Sequence, residues 1–502
     1  MEKPSYEEKA SEGSVVPDQL FRPEVDTSNV NEKKLLRKID LRIIPWLTFM
    51  YLLNFLDRGS IGNAKLYDLT TDIHVTDKQY LIALTVFFFP YALFEPASNV
   101  FLRKLRPSVW LSVMIFCWGI TMTMHGVISN YGGLITVRVL LGFFEAGMYP
   151  GIVFYISSWY KRSELGTRVA WFFSSSTVAG AFSGLLAAAI ANMHGVGKRP
   201  GWAWIFILEG LATVVVAFFS YWIIQDFPDT AKFLTEEERV FVIRRLQEDM
   251  QFSAAGETFH KKYVYKGLTD WKTWVAMGIY MGFDGPLYAF SLFLPSVINQ
   301  ASYKATQANL LSVPVYAWGC FMTCIIGFLG DRTGRRYYIN LGLFGVGLIG
   351  YIILIASTKP ALSYFAVYLA VSAIYPIIPN SVAWVASNVE GSYKRSVTLG
   401  MAIGFGNING AITANIYRAT DQPWYRLGHG IVLAYIAIGF ACSVVFGVLL
   451  QRENARRNRG ERDEIIEGVN NKHADEKNGR YESVQAARID KGDEWSGFRY
   501  TI

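Results

Sequence analysis

Apolar residues in this chain run in long blocks separated by short polar connections. Twelve blocks can be read, at about 43–63, 79–102, 108–128, 133–157, 168–192 and 202–225, then about 271–298, 308–329, 337–357, 362–387, 396–418 and 430–450. Each is close to the roughly 20 residues a helix needs to cross hydrocarbon. The predicted fold class is therefore an all-α membrane protein of twelve transmembrane helices in two six-helix halves. The organisation that follows is a tail over 1–42, a first half over 43–225, a central loop over 226–270, a second half over 271–450 and a second tail over 451–502. Within the loop, Thr235-Glu236-Glu237-Glu238 opens an amphipathic helix in capping-box form, and Val240, Ile243 and Leu246 give it one apolar stripe. That helix is expected to lie along the inner membrane face.

Composition agrees with this solvent. The chain has 502 residues, 52% hydrophobic, 15% aromatic and only 18% charged, with a mean hydropathy of +0.22. Lys and Arg are distributed unevenly over the connections. One set holds Arg103, Lys104, Arg106, Lys161, Arg162, Arg168, Arg332, Arg335, Arg336, Lys394 and Arg395, besides the basic central loop. The alternate set holds fewer: Lys65, Lys78, Lys198, Arg199, Lys304, Lys359, Arg418 and Arg426. The positive-inside bias makes the rich set cytosolic, and an even number of spans puts both termini there too. The net charge of +7 is then a membrane signature that calls for a lipid bilayer and for no nucleic acid.

The tails read as solvated. Residues 1–32 are polar and acidic without an apolar core, so no cleaved secretory signal is expected. Residues 451–500 are charge-dense and predict a largely disordered segment, helical at its start. The four cysteines, Cys117, Cys320, Cys324 and Cys442, all fall inside spans, which points to packing and away from disulfides. Histidines at 74, 194, 260, 429 and 473 lie in loops or tails and form no metal constellation. No nucleotide loop or clustered nucleophile arrangement is present, so the chain reads as neither an enzyme nor a cofactor carrier.

Two stretches carry an internal repeat. After span 8 the chain reads GFLGDRTGRR, residues 327–336, and after span 2 it reads NVFLRKLRPS, residues 99–108. The second is a degraded copy, basic but without the acid or the glycine pair. Small residues permit a tight turn, and Asp331 with Arg332, Arg335 and Arg336 can bridge helix ends and hold one conformation closed.

GFLGDRTGRR resembles the loop signature of the major facilitator superfamily, and RVLLGFFEAGMYPG, residues 138–151, resembles its span-4 signature. The stretches LRKIDLRIIPWLTFMYLLNFLDRGSIGNAK, FLRKLRPSVWL, WIFILEGLATV, DFPDTAKFLTEEER, GPLYAFSLFLPSVI and GFGNINGAITANIY resemble the anion:cation symporter family, in its fungal allantoate- and nicotinate-permease branch. The resemblance spans about residues 33 to 455. It implies the major facilitator fold, with spans 1 and 4 lining a central cavity.

Intramembrane charges face cavities and pair with one another. Asp57 and Arg58 end span 1; Arg138, Gly142, Glu145 and Tyr149 recur on one face of span 4. Arginine cannot shed its proton and offers a planar fork to a carboxylate. Arg58 is therefore the expected substrate-anion ligand, with Tyr149, Tyr288 and Asn407 as further ligands. Glu145 is the first candidate for proton coupling, then Asp57 and Asp284. The resemblance implies the same, since bacterial sugar-acid and vesicular anion relatives use the matching span-1 and span-4 charges for substrate and proton. The alternative is a permanent Asp57, Arg58 and Glu145 network that only holds the bundle. Arg138 is assigned a structural role. Glu95 and Glu209 are expected to bind neighbouring helix ends, His125 to sit at the membrane interface, and either Asn407 or Asn409 to reach the cavity.

The predicted function is proton-coupled import of a small organic anion by alternating access, as a monomer. The expected location is the plasma membrane, with an internal membrane as the alternative. Tyr149, Phe283, Tyr288 and Tyr316 favour a flat or aromatic acid, nicotinate first, with allantoate, pantothenate and other carboxylates open. Proton-driven export of a metabolite or drug is the alternative function, and a non-transporting nutrient sensor the third.

Overall fold

In the computed structural model the described residues are 21–255, 260–300, 305–413, 415–417 and 424–502. Residues 1–20, Lys304 and Arg418, all used above, lie outside them. The first half is built from α1 (Glu32–Leu66), α2 (Asp77–Leu105), α3 (Pro107–His125), α4 (Tyr131–Ser157), α5 (Leu165–Ala191) and α6 (Gly201–Ile223). The connecting helix α7 (Glu236–Glu248) follows. The second half contains α8 (Trp271–Gln300), α9 (Ala305–Thr333), α10 (Arg336–Ala356), α11 (Pro360–Ser387), α12 (Ser392–Thr413) and α13 (Arg426–Asn458). Among the described residues, ten helices are long and apolar enough to cross a membrane. The other two of the twelve are α8 and α12, at the seventh and eleventh predicted positions. α12 carries Lys394, Arg395, Asn407 and Asn409, which lower its hydropathy.

Two helices break, and for one reason. α2 is interrupted at Phe87 and α4 at Ala146–Gly147. Pro90 and Pro150 lie three to four residues downstream. A proline cannot donate to the carbonyl four residues before it, so the ladder opens there. Each break lies against the other helix. A side chain on Gly142 would strike the Phe87 carbonyl, and one on Gly147 would strike Ser98 Oγ. Glycine at both positions lets α4 press against α2.

The halves meet along α5 against α9 and α2 against α12. The end of the bundle where α1 begins and the chain finishes is termed here the tail face. There α7 uses its capping box, Thr235 with Glu238. Its stripe of Val240, Ile243 and Leu246 is fully buried. Arg245 pairs with Glu32 at 2.6 Å and with Glu164. The apolar stripe thus faces protein, where a membrane-surface helix had been expected.

The C-terminal tail also departs from expectation, because it is folded. Ile465–Ile466 pairs with Arg480–Tyr481 as a short parallel ladder, and α14 (Val484–Lys491) follows. The last residues form a strap across the tail face, with Trp495 and Phe498 each 1% exposed. Asp493 is buried between Lys272 and Lys394, the latter at 3.0 Å. Burial pushes its carboxyl up, but Lys272 and Lys394 more than offset that and hold it below the usual carboxylate range. Charge density had argued for disorder. The three aromatics at 495, 498 and 500 anchor the segment, and its charges have partners waiting on α8 and α12.

Glycine fixes one contact that the second half cannot do without. A Cβ on Gly282 of α8 would collide with the Gly439 backbone of α13. Gly282→Val is expected to destabilise the protein by on the order of 1–3 kcal/mol, the cost of overpacking. Gly184→Ala, where an added Cβ meets nothing within 4 Å, is expected to be neutral. Thermal denaturation of the detergent-solubilised protein compares the two.

Candidate functional site

Arg58 sits at the meeting of the two halves and is tied to both. Its Nε donates to Glu145 Oε1 of α4 at 2.6 Å. Its Nη2 donates to the Tyr91 hydroxyl of α2 at 2.9 Å, and its Nη1 to the Tyr288 hydroxyl of α8 at 2.6 Å. The guanidinium also lies over the Phe55, Tyr91 and Tyr288 rings, 5.2–5.8 Å from their centroids. Aromatic faces attract cations, most strongly away from water.

The bonds continue as a chain. Asn54, one turn before Arg58, donates from Nδ2 to the same Glu145 oxygen at 2.8 Å. Tyr288 passes its own proton to Asn407 Oδ1 of α12 at 2.8 Å. The Asn407 amide then donates to both oxygens of Glu95 on α2, at 3.3 and 3.4 Å. Asn54, Glu145, Arg58, Tyr288, Asn407 and Glu95 thus form one polar line through an apolar bundle. Glu145 is 1% exposed, and its Oε2 has no hydrogen-bond partner among the described residues. The break after Glu145 leaves that residue as the last of its helical segment, facing α1.

The structure brings Arg58, Glu145, Tyr288 and Asn407 together, and places the remaining candidates around them. Tyr149 lies one turn beyond Glu145 and stacks on Tyr51 and Phe172, with centroids 5.4 and 6.0 Å away. Asp284 lies one turn before Tyr288, against Gly406 of α12. Phe283 packs on Tyr280 and Tyr316 on Tyr375. Asp57 faces elsewhere. It is 3% exposed, beside Trp118 and Glu209, and Ser60 of α1 hydrogen-bonds that Glu209. Adjacent residues of a helix point about 100° apart, so Asp57 and Arg58 open onto different surroundings. Asp57 makes no ion pair with Arg58 among the described residues. Of the three-residue network considered above, the Arg58–Glu145 pair is present, and Asp57 lies within electrostatic reach of Glu145.

Glu95 and Glu209 do not bind helix ends: each meets a side chain in mid-bundle. Glu95 and Tyr91 were missed as site residues, although Phe88, Tyr91, Glu95 and Asn99 recur at helical spacing and form a polar-aromatic stripe on α2. Asn409 turns away and accepts from Tyr435 at 3.0 Å. Arg138 donates to the Ala83 carbonyl at 3.2 Å and covers the Phe87 ring. His125, the last residue of α3, is fully buried in the bundle, bonded to the Thr121 carbonyl and stacked on Phe206.

A second set of bonds closes the tail face. Asp331 of α9 accepts from the backbone N–H groups of Gly166 at 2.9 Å and Thr167 at 2.6 Å. These are first-turn donors of α5, where a carboxylate is favoured by the unsatisfied N–H groups and the helix dipole. Arg336 bonds Asp331 and also donates to the Arg162 carbonyl at 3.0 Å. Nearby, Asn99 reaches the Ser396 carbonyl at 3.0 Å, and Arg395 reaches Gln251 at 3.2 Å. Arg332 and Arg335 are exposed and make no cross-half side-chain bond among the described residues. Of the predicted gating set, Asp331 and Arg336 span the halves.

Known proteins agree with this architecture. A family model described as Major Facilitator Superfamily matches residues 47–414, and the chain belongs to that superfamily. The MFS-type transporter cnsO of Penicillium expansum is 34% identical over 443 residues, 86% of each chain. The high-affinity nicotinic acid transporter of Saccharomyces cerevisiae is 32% identical over 435 residues, 86% of this chain and 80% of that one. Among solved structures, the proton:xylose symporter XylE matches with a TM-score of 0.62 at 15% identity, covering 83% of this chain and 96% of its own. The human organic anion transporter MFSD10 (TETRAN) matches at 0.56 and 10%, covering 80% and 99%. The protein is a multi-pass membrane protein and a secondary transporter of small molecules, not an enzyme.

The latch makes a prediction that needs no substrate. Asp331→Asn removes a charge-assisted interaction worth about 1.5–3 kcal/mol in the state with the tail face closed. It is expected to expose Ser396→Cys, in a background without native cysteines, to a hydrophilic maleimide severalfold faster than when Asp331 is intact. Equal labelling rates would show that Asp331 does not hold that face shut. In transport, the same variant is expected to lower the maximal rate more than the affinity.

Proposed function

We infer that the protein is a proton-coupled importer of a small organic anion, working by alternating access as a monomer. On this reading the tail face is cytosolic, as the distribution of Lys and Arg argues, and the membrane is the plasma membrane. The branch is the fungal allantoate- and nicotinate-permease group within the anion:cation symporters, and the substrate class is a flat carboxylate, nicotinate-like first. The likeness to the yeast nicotinic acid transporter supports this choice.

One observation carries the reading: Arg58 is held by a carboxylate of one half and a phenol of the other. An arriving carboxylate competes with Glu145 for the guanidinium fork. A displaced carboxylate, out of water and without its cation, is expensive to keep ionised. The arriving anion is therefore accompanied by a proton onto Glu145. The Arg58 site is then neutralised by substrate, and the loaded carrier can rock. Facing the cytosol, Glu145 loses the proton, reclaims Arg58 and expels the anion. Asp284 and Asp57 are further acids that could carry the coupling proton. Tyr288 and Asn407 report occupancy to α12, because both lie on the line that ends at Glu95.

Radiolabelled acids, nicotinate among them, supplied to proteoliposomes test this. Uptake is expected to rise with external acidity and to exceed equilibrium only under a proton gradient. Export-directed flux under the same gradient would overturn the import reading. Arg58→Lys keeps the charge but loses the two-pronged geometry, so the Michaelis constant is expected to rise about tenfold or more. Arg58→Ala is expected to abolish uptake while leaving expression intact.

Glu145→Gln imitates the protonated acid. This variant is expected to exchange labelled for unlabelled substrate yet fail to concentrate it, and its uptake is expected to lose most of its pH dependence. Accumulation that persists in the Gln variant would move the coupling role to Asp284 or Asp57.

A further inference from the structure

Beside the Arg58 line lies a second group of polar atoms to which the cycle above gives no part in holding substrate. Asp284 Oδ2, the Tyr280 hydroxyl and the Tyr149 hydroxyl are all buried, and none has a hydrogen-bond partner among the described residues. Tyr280 is 1% exposed and Tyr149 is 6% exposed. Buried polar atoms are nearly always paired, so three orphans in one region call for an explanation. These three lie in electrostatic reach of one another, and Arg58 is in reach of Asp284.

Their helices place them at a common level. Asp284 is one turn from Tyr288 along α8, about 6 Å toward the tail face. Tyr149 is four residues past Glu145 on α4, which runs the opposite way, so it too is displaced toward the tail face. Tyr280 lies a further turn in that direction. The region therefore sits one to two turns below Arg58 and draws on both halves. Its wall is aromatic, with Tyr51 and Phe172 tilted against each other, centroids 4.5 Å apart, beside Tyr149. On α12 the residue facing Asp284 is Gly406. A Cβ there would stand 3.4 Å from Asp284 Oδ2, so glycine leaves that oxygen uncovered.

The two ends differ in chemistry. Arg58 can only donate hydrogen bonds, and it suits a carboxylate. An ionised Asp284 can only accept, and the two phenols can do either. We propose that Asp284, Tyr280 and Tyr149 form a second binding pole, which takes a protonated or N–H-bearing nitrogen of the transported acid, so that one proton, taken up from solvent by the ring, lies between nitrogen and carboxylate. The substrate class is then a flat acid with a ring nitrogen at the end away from its carboxylate. An all-carbon aromatic acid would leave Asp284 buried and unpaired, which is the arrangement a polar site rejects most strongly. This assignment rests on the organic-anion reading and adds to it the group that selects among acids.

The test is binding to the purified full-length protein, read by scanning fluorimetry, with benzoate against picolinate, nicotinate and isonicotinate. The ring size and carboxylate are constant, and only the nitrogen changes. The best pyridine acid is expected to bind roughly tenfold or more tightly than benzoate, the worth of one buried hydrogen bond to a charged group. Asp284→Asn is expected to erase that preference, weakening the pyridine acids and relieving the penalty that benzoate meets at a buried carboxylate. Tyr280→Phe, which removes a single oxygen and keeps the packing, is expected to erase part of it, so a poorly folded Asp284 variant does not decide the matter. Equal binding of benzoate and all three pyridine acids to the unaltered protein would overturn the second pole. So would an Asp284→Asn variant that weakens benzoate as much as the pyridine acids. If none of the four acids binds the unaltered protein, the aromatic-acid reading itself fails, and the second pole with it.

Discussion

An arginine in the middle of a membrane bundle cannot give up its charge, so its surroundings must be built to hold it. Here the surroundings are a carboxylate, two phenols and three aromatic faces, supplied by four helices of two halves. Removing one partner from such a buried pair costs about 3–5 kcal/mol unless something replaces it. That penalty is what makes the arrangement responsive. The groups around Arg58 are stable only while its charge is answered, and on the proposed cycle a substrate anion answers it in place of Glu145. Much of the local architecture serves this one demand. Gly142 and Gly147 let α4 close on α2, and Glu145 of the one and Tyr91 of the other meet the same guanidinium.

The two closures of the protein differ in kind. The central line is side chain to side chain, from Asn54 to Glu95, and can be rewired one bond at a time. The latch at the tail face uses backbone donors at the start of α5, which cannot rotate away. Opening that face frees the Asp331 carboxylate from donors that stay fixed to α5. Rigid elements with two discrete positions, and a deformable polar centre between them, are what alternating access requires of a fold.

The span pattern was legible in the sequence because lipid forces every backbone group to be paired within the segment, so hydrophobic length maps onto helix number. Arg58, Glu145, Tyr288 and Asn407 were legible because charge and polarity inside such segments are conspicuous. Direction was harder. Asp57 adjoins Arg58 in sequence, yet it opens toward Trp118 and Glu209, a difference set by helix rotation that adjacency conceals. Tyr91 and Glu95 were missed for a related reason, since Glu95 sits close to the basic turn after α2 and reads as part of it. The tail was misjudged by composition, which averages over many charges and hides three well-placed aromatics. The stripe of α7 was read correctly as apolar, but periodicity alone does not say whether protein or lipid covers it.

The C-terminal strap has a mechanical consequence. Asp493 is clamped by Lys272 and Lys394, and Thr501 by Asn388, so its strongest holds are all on the second half. Its ties to the first half are slighter: the Arg162 side chain donates to the Arg499 carbonyl at 3.0 Å and rests on the Phe498 ring. When the halves separate at this face, the weaker seam parts and the strap stays with α8, α11 and α12. The second body then carries a hook that meets Arg162 of the first when the face is shut. A domain fused after Ile502 would ride on that body and change the load on every stroke.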